Sequence, residues 1–230
     1  MKKNNLLLFA LILGIFIVLV TACGKDGDEV KNKDYDYFTD QRDGEMYKTI
    51  KIGDQVWMAE NLRYLPFVTE PDSGSPTIPL YYVLAYEGND LAEARASDYF
   101  DTYGALYNWE AAKIACPSGW HLPTEAEWMQ LADFVGGAGT AGDKLKESGT
   151  AHWGLINDEI TDEFGFTALP GGCCLANGLF DGLESYAAWW TVTGIDTAQA
   201  SYILMTHNGT GMYTGMSIRE HGFSVRCVKD

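Results

Sequence analysis

The stretch Cys116-Pro-Ser-Gly-Trp-His-Leu-Pro-Thr-Glu-Ala-Glu-Trp128 constrains the fold most, because it ends one periodic segment and starts another within a few residues. Upstream, Ala105, Leu106, Trp109, Ala112 and Ala115 recur at three- and four-residue spacing, which predicts one helix from Tyr103 to Cys116 that stops before Pro117. Downstream, Thr124 and Glu127 form a capping-box pattern, in which the threonine oxygen accepts an early amide and the glutamate reaches back to the threonine amide. That second helix should bury Trp128, Leu131, Ala132 and Val135 and end at Gly136-Gly137. Capping and the helix dipole account for Glu125 and Glu127 without an acid/base role.

Elsewhere the chain reads as strands and turns. Met46 to Ile52 alternates sides, Gly53-Asp54 is a turn signal and Gln55 to Met58 resumes the pattern, which predicts a hairpin. Pro66, Pro71, Pro76 and Pro79 with Gly74 predict a long loop. A short helical piece is expected around 143–147, and strands over 165–169, 178–180, 188–192, 200–206, 211–218 and 223–228. Two helices in the first half and antiparallel strands in the second make an α+β domain, and residues 44–230 suffice for one core.

The N-terminal segment reads as an address. Lys2 and Lys3 precede an apolar run from Leu6 to Val20, then Val20-Thr21-Ala22-Cys23, the order of a cleaved signal peptide over residues 1–22. The cysteine at the cleavage point resembles a bacterial lipobox, which implies that Cys23 is acylated and anchors the chain to membrane at the cell envelope. Residues 23–43 read as an acidic flexible tether. Gly24-Lys-Asp-Gly-Asp-Glu29 resembles the export tag of surface lipoproteins of the Bacteroidetes type, though a solvated acidic spacer explains it equally; the expected location is the outer membrane, with its inner and outer faces both open. Removing residues 1–22 takes away two lysines and no acid, so a formal charge of -16 becomes -18. Such a chain lacks the basic footprint of a nucleic-acid binder.

Tyr47 to Leu62, Tyr103 to Trp109, Cys116 to Trp128, Lys144 to Glu147, Gly165 to Gly172 and Ser224 to Lys229 resemble, in order, the Fibrobacter succinogenes major paralogous domain family. The resemblance covers nearly all of the chain after Asp43 and implies an exported or lipid-anchored bacterial protein, with no activity attached. The segment Leu122 to Trp128 is also similar to one in formylglycine-generating enzymes and related sulfatase-modifying domains. This second resemblance implies a C-type-lectin-like fold, with two helices packed on short twisted antiparallel β-strands. It further implies a disulfide between Cys116 at the end of the first helix and Cys227 in the last strand, closing a loop that chain entropy values at about 4 to 5 kcal/mol.

Candidate chemistry is sparse. A formylglycine-type enzyme needs a reactive cysteine pair in the C-terminal part, where only Cys227 stands, and the implied bridge consumes it. The Glu-Pro-Asn and Trp-Asn-Asp triplets of lectin calcium sites are absent, and Asp40 to Gly44 and Asn157 to Glu163 lack calcium-loop spacing. His121, His152, His207 and His221 show no metal spacing. No metal, cofactor or catalytic residue is therefore expected. Cys173-Cys174 could form a vicinal disulfide, a soft metal site or two small strand residues, and a pocket joining Cys173, Cys174 and Arg219 would favour chemistry. Trp57, Trp109, Trp120, Trp128 and Trp189 read as core. Tyr81, Tyr82, Tyr86 and Trp190 are a candidate ligand surface for sugar or peptide, with alternation placing one of Trp189 and Trp190 inward and the other outward. The expected role is a lipid-anchored, non-enzymatic lectin-like binding or display domain for a glycan or protein ligand. A divergent formylglycine-generating-type enzyme and a purely structural envelope component are the alternatives.

Overall fold

The computed structural model describes residues 33–154 and 160–230. The signal segment, Cys23 and the first part of the expected tether lie outside the described residues. The elements run β1 (Asp36–Thr39), β2 (Met46–Ile52), β3 (Gln55–Met58), β4 (Tyr81–Val83), α1 (Leu91–Arg95), α2 (Asp98–Tyr103), β5 (Ala105–Tyr107), α3 (Trp109–Ala115), β6 (Trp120–His121), α4 (Glu125–Phe134), α5 (Ala141–Leu145), β7 (Gly171–Cys174), β8 (Phe180–Leu183), β9 (Tyr186–Gly194), β10 (Gln199–Thr206), β11 (Tyr213–Ile218) and β12 (Val228–Lys229). One sheet has the order β1-β2-β3-β12-β6, a second β11-β10-β9-β7-β8, and β4 pairs with β5 alone. All pairs are antiparallel except β7 with β9, which meet in parallel at Gly172 and Ala187.

This architecture corrects the expected fold class. Twelve strands against five helices among the described residues make a β-rich fold with two curled sheets, not two helices packed on a sheet as in the α+β, C-type-lectin-like expectation. The predicted helix from Tyr103 to Cys116 is three elements. Gly104, at φ 77°, ends α2, and a Cβ there would sit 2.7 Å from the Leu62 carbonyl oxygen. Ala105 to Tyr107 then extends to pair with β4, and Asn108 accepts the Ala111 amide to start α3. The apolar spacing was real, but its first members are buried strand residues.

Other expectations hold locally. The β2–β3 hairpin turns at Gly53, and β2 alternates exposed and buried positions. Thr124 and Glu127 complete their capping box, and α4 buries Trp128, Leu131 and Ala132. Residues 171–174 are a strand that sequence reading missed, whereas 165–169 make only a single bridge at Ala168. Within the span expected as tether, β1 pairs with β2, and Asp40 is fully buried in an ion pair with Arg42. Phe38 is half-buried against Trp120 while its neighbour Tyr37 is exposed, which suits an edge strand more than a solvated spacer.

Cys116 and Cys227 are disulfide-bonded, with Cα atoms 5.9 Å apart across 111 residues of sequence. The bond ties the end of α3 to the segment that enters β12. On that segment Arg226 is fully buried, with no carboxylate in contact among the described residues: its guanidinium lies over Phe166 and donates to the carbonyls of Phe166 and Thr167 and to Asn61 Oδ1. Burial pulls its pKa down to about 9.

Candidate functional site

Strand β9 is central to its sheet, and its residues from Ala187 to Thr191 are buried on both faces. Trp189 joins a cluster with Trp57, Trp128 and Phe166, while Trp190 turns the other way onto Phe223. Both tryptophans are fully buried, which corrects the expectation that one would face outward.

The neighbouring strand β10 separates the two faces clearly. Ser201, Ile203 and Met205 are buried on the side covered by α4, whereas Tyr202, Leu204 and Thr206 on the other side are only half-buried. Tyr202 stands opposite Trp190 and Gly215, Leu204 opposite Ala188, and Thr206 opposite Tyr186. A cleft of about 270 Å³ opens there, lined by Cys173, Leu175, Tyr186, Ala188, Tyr202, Leu204, Thr206, Ser217, His221 and Phe223.

Its walls follow from small residues. A Cβ on Gly215 would come within 2.6 Å of the Tyr202 ring, so the glycine lets that ring lie across β11. Gly182 does the same for Tyr186 beside β8. Ala188, between Tyr186 and Trp190 on one face of β9, leaves the hollow between them. The remaining wall is a return of the chain after β11. Cys174 and Gly222 exchange backbone hydrogen bonds of 2.9 and 2.7 Å, which brings His221 and Phe223 beside Leu175 and Cys173.

The polar groups in the cleft are neutral. Cys173 Sγ lies 3.0 Å from the Tyr186 hydroxyl, which donates to Asp181 Oδ2 at 3.3 Å. Burial raises the Cys173 thiol pKa despite that hydrogen bond, so it is not an activated nucleophile. Ser217 Oγ and His221 Nδ1 are 2.8 Å apart, and burial lowers the His221 pKa against the raising effect of Glu220, keeping the imidazole uncharged at neutral pH. The Tyr202 and Phe223 rings pack at a tilt of 43° with centroids 4.9 Å apart.

The expected site residues are placed differently. Tyr81 and Tyr82 are 4% and 1% exposed and belong to the core, with Tyr81 edge-on to Tyr107. Tyr86 is half-buried, its hydroxyl held between the Asp90 amide and Glu93. Tyr81 and Tyr82 therefore offer no ligand surface, because β4 is covered on both faces, whereas Tyr86 lies beyond β4. Trp190 supports the cleft from beneath while donating to the Tyr107 carbonyl at 2.8 Å. Cys173 and Cys174 are free and buried, and, as adjacent strand residues, face opposite ways: Cys174 Sγ lies 3.9 Å from the Pro71 carbonyl, and burial raises its pKa to about 12. Arg219 stacks over Trp109 and donates to the Asp196 carbonyl, away from the cleft. Only Cys173 of that trio reaches the cavity.

The other features examined in the sequence serve the scaffold. Glu125 accepts from Ser201, and Glu127 caps α4 while meeting His121 Nε2 at 2.8 Å. Asn157 lies outside the described residues, and Asp162 near it pairs with Lys33 and Thr167. Among the described residues no cluster of three or more His, Cys, Asp or Glu is arranged to hold a metal ion.

Sequence reading missed Tyr186, Tyr202, Ser217 and His221. A usable signal was Tyr202 facing Gly215 across the β10–β11 pair, since a ring beside a cross-strand glycine covers an open backbone. Compared with known proteins, residues 50–229 match the family model described as the Fibrobacter succinogenes major domain. No curated protein and no solved structure matches the chain.

Proposed function

We propose, for a chain that belongs to the Fibrobacter succinogenes major domain family, a non-enzymatic ligand-binding role at the bacterial cell envelope, with acylated Cys23 as its anchor and the cleft between Tyr186 and Tyr202 as its ligand seat. One observation carries the reading: at the cleft, aromatic faces and uncharged polar tips converge around an open hollow. A purely structural component has no use for half-buried tyrosines held open by glycines. A formylglycine-type enzyme is less well supported, because Cys227 is bonded to Cys116 and the Cys173 thiol is held protonated by burial.

The anchor is tested in cells. Wild-type chain should take up labelled palmitate and sediment with membranes, whereas Cys23→Ala should lose both; unchanged labelling of the variant would refute the anchor. For the seat, the full chain in detergent is screened by thermal shift against neutral glycans, short peptides and small aromatics. At least one class should raise Tm, with the shift lost in Tyr202→Ala; no shift in any class would refute the ligand seat.

A further inference from the structure

We infer that the cleft takes a single uncharged sugar ring, with Tyr202 and Phe223 as its stacking platform and the Ser217–His221 pair reading its hydroxyls. This rests on the reading of the cleft as a ligand seat.

Size sets the first limit. A volume of about 270 Å³ falls just below the roughly 300–1,000 Å³ of pockets that enclose drug-sized ligands, so one ring fits and a chain of rings does not. The platform sets the second. The Tyr202 and Phe223 rings are inclined at 43° with centroids 4.9 Å apart, and Phe223 is backed by Trp190 at 4.5 Å. Because these rings pack on one another at an incline, they form one continuous apolar wall and not a cage around a cation.

Charge narrows the class further. Among the described residues, no Asp, Glu, Lys or Arg lines the cleft. A carboxylate, phosphate or ammonium seated there would lose water without gaining a counter-charge.

The rim separates a sugar from a purely apolar guest. If Ser217 donates to His221 Nδ1, the Nε2–H is free to donate and the serine oxygen to accept. In the other tautomer, Nδ1–H donates to Ser217, whose own O–H donates outward while Nε2 accepts. Either way the pair offers one donor and one acceptor, at its two ends, which suits two separated hydroxyls of one pyranose. An aromatic or alkyl guest would cover these groups without satisfying them. The ring can be a free monosaccharide or the terminal residue of a longer glycan.

The test uses isothermal titration of the full chain in detergent micelles. One arm uses methyl glycosides of glucose, galactose and mannose with N-acetylglucosamine; a second uses neutral oligosaccharides ending in the same residues; controls are glucuronate, indole and hexanoate. A neutral sugar should bind saturably, and glucuronate at least about tenfold more weakly. Tyr202→Ala should weaken binding about tenfold, Tyr202→Phe less than about threefold, and Ser217→Ala about fivefold. Should Tyr202→Ala fail to fold, Ser217→Ala carries the test. Binding by the oligosaccharide arm alone supports the same ring and identifies a glycan end as its source. Indole or hexanoate binding in a Tyr202-dependent manner, with every neutral sugar inert, would overturn the sugar inference and leave the ligand seat standing. Silence from all probes would overturn this inference, and the ligand seat would fall separately if peptides too gave no thermal shift.

Discussion

The two faces of β10 differ by one residue in register and by everything in fate. On one side Ile203 and Met205 disappear beneath α4 and the tryptophan cluster; on the other Tyr202, Leu204 and Thr206 stay half-open. The contrast does not come from polarity, since both rows contain apolar side chains and a hydroxyl. It comes from volume opposite them. The closed side lies against Trp128, Phe166 and Trp189, whereas on the open side Ala188 and Gly215 leave a hollow between the larger Tyr186 and Trp190. A cavity here arises by withholding side chains, and its walls hold because the opposite face is packed to completion.

That difference can be broken first at the tryptophans. Trp189→Ala should cost about 4 kcal/mol of unfolding free energy, while Tyr202→Ala on the open face should cost only about 1 kcal/mol. Urea denaturation of both variants measures this, and equal losses would mean that the two faces are equally packed.

Breaking the disulfide should touch both sides, because the segment it holds carries Phe223 on the open face and Arg226 on the closed one. The paired Cys116→Ala and Cys227→Ala substitutions are expected to lower stability by about 3 kcal/mol and to loosen the cleft wall as well. Unreduced digestion followed by mass spectrometry should recover the linked peptides, and free thiols at both positions would contradict the connection.

Arg226→Ala sharpens the contrast, because it acts on the closed side alone. It removes donors from the Phe166 and Thr167 carbonyls and from Asn61, so a loss of about 2 to 3 kcal/mol is expected, with ligand affinity unchanged once the protein is folded. Parallel denaturation and binding titrations check both halves of that statement.

The smallest effect lies at the edge of the first sheet, where His121 bridges Glu127 Oε1 at 2.8 Å and Asp230 Oδ1 at 2.7 Å. Burial alone would lower its pKa, but hydrogen bonds to Asp230 and Glu127 outweigh it and leave the value raised. A raised folded pKa stabilises fully below the unfolded value near 6.5, and that gain is lost as pH rises through the folded pKa. With the ring about two-fifths exposed, screening limits the gain to a few tenths of a kcal/mol. The Tm difference between wild type and His121→Asn should therefore shrink from pH 6 to pH 9; a constant difference would show that the bridge carries no charge.

What the sequence made legible was local chemistry. The hairpin at Gly53 and the capping box at Thr124 each depend on residues a few positions apart, and both formed as read. The helix expected from Tyr103 to Cys116 failed because helical spacing cannot distinguish a buried helix face from a short buried strand, and Gly104 punctuates the chain there. The cleft was less legible still. Cys173, Tyr186, Tyr202, Ser217 and His221 come together only through the order β11-β10-β9-β7 and the register of each pair, which no local pattern encodes. Tyr81, Tyr82 and Trp190 looked available because their tips are polar; the sheets that bury them are made from distant segments.

Hydrogen exchange of the full chain, with and without the neutral methyl glycosides at saturating concentration, tests the central claim most directly. The ligand seat predicts slowed exchange confined to peptides from 173–175, 186–188, 202–206 and 215–223, with the tryptophan-cluster side unchanged. Protection elsewhere, or none at these peptides with a ligand that demonstrably binds, would contradict it.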